Sequence, residues 1–331
     1  MKNHNIAYVF CCEHGILEKL TVLLVRSLFH FGKVNGNSSF YCFCPRKNFK
    51  PSKSTLKILE EQNIHINDEN LNREFEFYPL YNKVVATSYV ENKYKQDFIV
   101  FLDSDLLVLE NLFADDRILN TEVSLQKEFM KYVAAEKSSD QFFRYWERIF
   151  NFLEVDNYKF SNLFTNDVRT IAYYNSGLIF SKTSTGLMSQ WNENLTHLLR
   201  KYHWRNLEYF FLEQATLSAT IQQMGLEVYE LPKGYNYPIS MHNNVFERNK
   251  VGKVDELIVC HYLKEYGSTI KNLKEISKKD NEKVNWVIDQ FKELKIFPGT
   301  TSSRISDYIQ VKRNINFQKI LYFSKKFRLH R

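Results

Sequence analysis

The chain has 331 residues, 44% hydrophobic and 25% charged, which allows a large buried core in one elaborated α/β domain or in two domains. With only 10 Gly and 6 Pro it is neither collagen-like nor built around proline-rich linkers. The net charge of +7 resides in residues 308–331, where Lys312, Arg313, Lys319, Lys325, Lys326, Arg328 and Arg331 occur with no acid; the body is about neutral and does not read as a nucleic-acid binder.

In chain order, residues 6–12 predict a first strand. Residues 16–31 predict a helix, with Leu17, Leu20, Leu23, Leu24, Ser27, Leu28 and Phe31 at helical spacing. A second strand is expected over 39–44, closed by Pro45, then a helix over 54–62 with Ser54 as N-cap, and a weak strand over 64–66. Residues 81–93 predict a helix leading into the apolar run 98–102, which is too short for an ordinary helix and reads as a buried strand. Such alternation predicts a mostly parallel sheet covered on both faces. Beyond Leu109, residues 120–167 read as polar, aromatic and mostly helical, including 141–153. Strand character returns over 170–181, helices are expected over 183–202 and 207–224, and short strands over 226–231 and 257–261. A polar helix over 279–294 precedes the basic tail.

The five cysteines form no disulfide framework. Cys11 and Cys12 are adjacent in an apolar strand, Cys42 and Cys44 alternate along another, and Cys260 ends a third; they read as buried free thiols in a reducing compartment. Neither pair has the spacing of a zinc site. Asn3, His4 and Asn5 precede a short apolar stretch containing Tyr8, so no signal peptide is expected, and no window approaches the ~18 apolar residues of a membrane span. The tail interleaves its charges with Ile315, Phe317, Ile320, Leu321, Tyr322, Phe323 and Phe327. It reads either as a segment lying on an anionic membrane surface or as a terminal helix packed on the body.

The strand over 98–102 ends in Asp103, Ser104 and Asp105. Open α/β sheets place ligands at such strand ends. Two carboxylates one residue apart call for positive charge between them, and a divalent cation shared with a phosphorylated ligand supplies it. A strand ending in Asp-x-Asp also opens metal-dependent phosphohydrolases, with Asp103 then the nucleophile. No GxGxxG follows the first strand, which argues against a dinucleotide-binding oxidoreductase.

The order Asn82-Lys83, Phe101-Leu102-Asp103-Ser104-Asp105, Asn175-Ser176-Gly177-Leu178, Glu213-Gln214, the Leu-Pro-Lys-Gly-Tyr-Asn run over 231–236 and Cys260-His261-Tyr262 resembles the glycogenin and lipopolysaccharide-galactosyltransferase group, family 8 of the GT-A glycosyltransferases. The resemblance covers roughly residues 5–265. It implies a GT-A domain over 1–270 and retaining transfer of a hexose from a nucleotide-diphosphate sugar, UDP first, to a glycan or lipid-linked sugar acceptor; residues 271–331 then read as a helical, basic extension, and the thiols with the lack of a signal peptide point to the cytoplasm. By the same resemblance Asp103, Asp105 and His261 hold Mn²⁺, with Mg²⁺ as the alternative. Lys83 lies beside the donor, Ser104 near its ribose, Asn175 and Ser176 along the donor sugar and acceptor cleft, and Lys264 near the diphosphate. Glu213 and Gln214 hold the donor sugar at the reacting carbon.

Three features depart from the family pattern. Glu213 replaces the usual Asp, one methylene shorter, which leaves the sugar open. Cys11-Cys12-Glu13-His14-Gly15 stands where a base contact is usual, and Leu263-Lys264-Glu265 follows the late histidine where the family has a Gly and a Lys. A non-catalytic nucleotide- or glycan-binding module of the same fold is the remaining alternative.

Overall fold

The computed structural model describes residues 4–34, 36–204, 206–277 and 281–296. The basic tail over 308–331, expected to lie on a membrane surface or to pack as a terminal helix, falls outside the described residues.

The first part alternates strand and helix: β1 (Ile6–Cys11), α1 (Ile16–Phe31), β2 (Ser38–Phe43), α2 (Lys53–Glu60), β3 (His65–Asn67), α3 (Tyr81–Lys93) and β4 (Phe98–Leu102). Then come β5 (Leu106–Val108), α4 (Arg117–Asn120), β6 (Val123–Lys127), α5 (Phe143–Leu153), β7 (Phe160–Asn162), β8 (Arg169–Ile171) and β9 (Tyr174–Lys182). The rest comprises α6 (Leu187–Lys201), α7 (Asn206–Phe210), α8 (Leu212–Gln223), β10 (Val228–Glu230), β11 (Val259–His261), α9 (Tyr266–Ser277) and α10 (Glu282–Glu293).

Seven strands form one sheet in the order β10-β6-β9-β4-β1-β2-β3. Only β9 runs against its neighbours, β4 and β6; the other pairings are parallel. The expected α/β class, a mostly parallel sheet flanked by helices, is therefore the one found. Successive side chains of β1 face opposite ways. Ala7 and Val9 join a core with residues of α3, α5, α6 and α8, whereas Ile6, Tyr8 and Phe10 join one with residues of α1 and α2. A third core packs α9 and α10 against β5 and β11 through Leu107, Cys260, Tyr262, Leu273, Val287 and Phe291. All five cysteines are free, and all but Cys11 are fully buried.

The largest correction concerns residues 120–167, which are not mostly helical. β6 is an interior strand of the main sheet, β7 and β8 form an antiparallel hairpin, and α5 is the only long helix of the stretch. The polar residues of β6 misled the helical reading because the fold satisfies them internally. Ser124 Oγ bonds Thr121 Oγ1 at 2.8 Å, and Gln126 Nε2 donates to the Leu231 carbonyl at 3.1 Å. α2 is capped by Ser52, whose Oγ accepts from the Thr55 N–H at 3.3 Å, and not by Ser54. α9, which the periodicity did not reveal, crosses the expected boundary after residue 270. β11 pairs antiparallel with β5, apart from the main sheet.

Candidate active site

Two pairings assemble the site. At the end of β4, Leu102 opposes Leu178 and the Asp103 N–H donates to the Gly177 carbonyl at 2.8 Å. One turn later, Leu106 of β5 opposes His261 of β11, and the Tyr262 N–H donates to the Asp105 carbonyl at 3.2 Å. Three stretches far apart in sequence thus meet at one strand end, the place where open α/β sheets bind ligands.

Asp103, Asp105 and His261 each present one ligand atom, and the three atoms lie within 4.8 Å of one another. His261 Nε2 is 3.3 Å from Asp105 Oδ1, and its Nδ1 is 3.1 Å from Asn236 Oδ1. Asn236 Nδ2 donates to Asn175 Oδ1 at 2.9 Å, so Asn236 turns its acceptor to the imidazole. The network therefore calls for a proton on Nδ1; in the neutral ring the Nε2 lone pair then faces Asp105, whereas the protonated ring donates to it. A cation shared by Nε2 of the neutral ring and the carboxylates satisfies that arrangement.

Gly177 makes the close approach possible. A Cβ there would lie 2.9 Å from His261 Cε1, 2.9 Å from Asn175 Oδ1 and 3.2 Å from Asp103 Oδ2. Asp103 keeps a quarter of its side chain open to solvent, the direction from which a ligand would arrive.

Lys83 stands in the first turn of α3 and is buried. Its Nζ is 2.9 Å from Asp103 Oδ2, 3.5 Å from Glu213 Oε1 and 3.3 Å from Ser176 Oγ. Burial works to lower its pKa, but Asp103 and Glu213 outweigh burial and raise it. The start of α3 has no side-chain cap and is anchored instead by Asn82, which donates to Glu13 Oε1 at 2.8 Å. Glu13 is itself paired with buried Arg46, whose Nε lies 2.6 Å from Glu13 Oε1 and whose guanidinium covers the Phe49 ring at 3.8 Å.

Glu213 and Gln214 open α8. The Glu213 backbone is pinned at both ends, its N–H donating to Tyr78 Oη at 3.0 Å and its carbonyl accepting from Trp191 Nε1 at 2.8 Å. Its Oε1 accepts from Ser176 Oγ at 3.0 Å, while buried Oε2 has no hydrogen-bond partner among the described residues. Burial pushes its carboxyl up to about 7 despite the opposing charge of Lys83. Gln214 Oε1 accepts from the Ser176 N–H at 3.3 Å, and its Nε2 donates to Glu128. Burial also raises the Asp103 pKa, with Lys83 opposing and Asp105 adding to the rise. Asp105 goes the other way: burial would raise it, but the positive charge of His261 in its protonated form, with Lys264 adding to it, holds it well below the usual carboxylate range.

Asn175 and Ser176 enter the site from β9, and Ser104 occupies the turn between the two aspartates. Lys264 is more peripheral. It is exposed, in a left-handed turn after β11 with φ 60°, and its charge contributes to depressing Asp105.

Sequence reasoning assigned no role to Glu128 or Asn236, and did not find the Glu13–Arg46 pair. Glu128 ends a polar run that looks like a solvated face. Asn236 ends the Leu-Pro-Lys-Gly-Tyr-Asn run over 231–236, with nothing local to mark its side chain.

A family model described as a Rhodobacterales glycosyltransferase domain matches residues 8–225. No curated protein sequence matches the chain. Among solved structures, it is similar to the apo form of the bifunctional glycosyltransferase WbbM (14% identity, TM-score 0.47), covering 88% of this chain and 52% of that one. This chain thus spans about half the length of the WbbM structure. It is also similar to the galactosyltransferase LgtC in complex with donor and acceptor sugar analogs (13%, TM-score 0.46, 85% of this chain and 99% of that one). A third is the apo-form glycosyltransferase GlyE of Streptococcus pneumoniae TIGR4 (15%, TM-score 0.44, 90% and 66%).

Proposed function

The chain belongs to the Rhodobacterales glycosyltransferase family, and from that premise we propose that it transfers a hexose from a nucleotide-diphosphate sugar, UDP-linked, to a glycan or lipid-linked sugar, with retention and with a divalent metal. A glycosyltransferase is an enzyme of group transfer, so the phosphohydrolase reading of Asp103 gives way. The observation that supports the metal-dependent reading is the convergence of one ligand atom each from Asp103, Asp105 and His261 within 4.8 Å of one another.

Asp103, Asp105 and His261 would hold Mn²⁺. Bound there, it supplies Lewis-acid neutralisation of the departing diphosphate. Lys83 keeps a buried positive charge between Asp103 and Glu213, where the developing phosphate charge is met in a preorganised site. Glu213 Oε2, buried without a partner among the described residues, is available to a sugar hydroxyl, since a buried acceptor left without a hydrogen bond is costly. Gln214 and Ser176 hold each other and line the same face, with Asn175 and Ser104 alongside. Lys264 reaches the outer side of the diphosphate. In this reading the acceptor proton leaves with the donor phosphate, and no protein base of ordinary strength is needed.

The location belongs to the same proposal: cytoplasmic, with residues 308–331 touching the inner face of a membrane. Its support is the set of free thiols and the basic, aromatic composition of that segment. No helix among the described residues is long and apolar enough to cross a membrane.

A thermal-shift screen of nucleotide sugars in Mn²⁺ tests the donor assignment, because a ligand bound only by the native state raises apparent stability. UDP-sugars are expected to raise Tm with Mn²⁺ and not in EDTA. No shift with any nucleotide sugar, or equal shifts in EDTA, would overturn it.

A further inference from the structure

The strongest feature left unused is a directed chain of hydrogen bonds behind His261. It begins at Glu128, whose carboxylate is buried at 1% exposure and pairs with no lysine, arginine or histidine among the described residues. The β6–β9 register shifts between Leu125 and Lys127, and Glu128 follows directly, turned inward. Its Oε1 accepts the N–H groups of Phe129 at 2.7 Å and Met130 at 3.3 Å. Its Oε2 accepts from Asn175 Nδ2 at 3.1 Å and from Gln214 Nε2. An ionised carboxylate can only accept, so it turns both amide NH₂ groups toward itself.

The consequence runs across the site. Asn175 Oδ1 faces the Gly177 N–H at 2.9 Å and Asn236 Nδ2 at 2.9 Å. Gly177 N–H can only donate, so both fixed ends of Asn175 agree on one orientation. Asn236 then has only its Oδ1 to offer His261 Nδ1, at 3.1 Å. Asn236 is fully buried with φ 48°, a left-handed conformation that asparagine accepts more readily than most residues.

We propose that Glu128, Asn175 and Asn236 form a positioning relay that holds His261 as the Nδ1–H tautomer, keeping Nε2 free as a metal ligand. The use of Nε2 for a metal rests on the function proposed above; the tautomer itself does not. Without the relay, the neutral ring would move its proton to Nε2 and donate to Asp105, 3.3 Å away. That hydrogen bond closes the lone pair that a cation needs. The same carboxylate orients Gln214, so Glu128 couples the metal side and the sugar side of the cleft.

The test reads the tautomer directly, in metal-free protein with no donor. Imidazole ¹⁵N spectra at mildly alkaline pH, with the His261 signals identified by their loss in His261→Asn, are expected to show Nδ1–H. Asn236→Gly keeps the left-handed backbone and removes the amide. It should shift His261 toward Nε2–H and weaken Mn²⁺ binding by about 10–100-fold. Asn236→Asp retains an acceptor for Nδ1 and should keep the Nδ1–H tautomer, as should Glu128→Gln/Asn236→Asp where Glu128→Gln alone mixes the two forms. An Nε2–H tautomer in the wild type, or an unchanged tautomer in Asn236→Gly, would overturn the relay whatever the variants' stability. An intact relay in a protein that binds no Mn²⁺ would instead overturn the metal reading.

Discussion

Lys83 Nζ lies 2.9 Å from Asp103 Oδ2, so a buried ammonium is hydrogen-bonded to an aspartate of the candidate metal site and, at 3.5 Å, reaches Glu213 as well. Removing it strands two acids, Asp103 and Glu213, that pair with no other lysine among the described residues. Breaking a buried pair from one side costs about 3–5 kcal/mol. Lys83→Met should therefore unfold at markedly lower urea concentration at pH 8, with the deficit shrinking toward pH 5 as the acids protonate, and should lose transfer throughout. Wild-type urea midpoints in Lys83→Met would show that the ammonium does not balance these acids.

Glu213 gives a pH signature with a definite sign. Its folded pKa stands near 7, above the ordinary 4.5, because burial disfavours the charge. Between those values the native state binds more protons than the unfolded state, so this group's contribution to stability falls as pH rises. Its penalty is absent below about pH 4.5 and complete above about pH 7, on the order of 3 kcal/mol. Glu213→Gln should thus stabilise metal-free protein at pH 8, have little effect at pH 5, and lose activity at both. Urea unfolding at the two pH values checks the sign; a Glu213→Gln protein less stable at pH 8 than at pH 5, relative to wild type, would contradict it.

Gly177→Ala tests the closeness of the site. The added Cβ would stand 2.9 Å from both His261 Cε1 and Asn175 Oδ1. Something must shift, and either neighbour belongs to the metal face. Calorimetric Mn²⁺ titration should show weaker binding than wild type, with circular dichroism unchanged. Undiminished affinity would mean that the cluster has room to spare.

Charge pairs should differ by burial. Arg46 and Glu13 are almost wholly buried, whereas Lys57 and Glu61 are mostly exposed. Arg46→Ala is expected to cost about 3–5 kcal/mol in urea unfolding, and Lys57→Ala less than about 0.5 kcal/mol. Comparable losses would show that burial does not govern these pairs.

What was legible in the sequence follows from locality. The run before Asp103 announced β4 because five apolar residues cannot pass for an ordinary helix; the expected bounds of α1 and α3 match the observed ones, α1 through the helical spacing of its leucines. β6 was hidden because Ser124 and Gln126 find their partners inside the fold, so an interior strand carries a polar pattern. The relay from Glu128 through Asn175 and Asn236 to His261 could not be read for a different reason. Each bond joins residues far apart in sequence, and nothing about an isolated asparagine says which way its amide will point. Glu213 was recognised as an acid in the place of an acid, but its raised pKa comes from burial by α8, β9 and α3 together, a property of the packing.

The central claim is that Asp103, Asp105 and His261 hold a divalent metal on which transfer from a nucleotide sugar depends. Nucleoside-diphosphate release from a UDP-sugar panel, in EDTA and then with Mn²⁺ restored, tests it most directly in wild type, Asp103→Asn, Asp105→Asn and His261→Asn. Release is expected only with Mn²⁺ in the wild type, with each variant reduced by about 10²-fold or more. Equal release in EDTA and Mn²⁺, or variants as fast as the wild type, would contradict it.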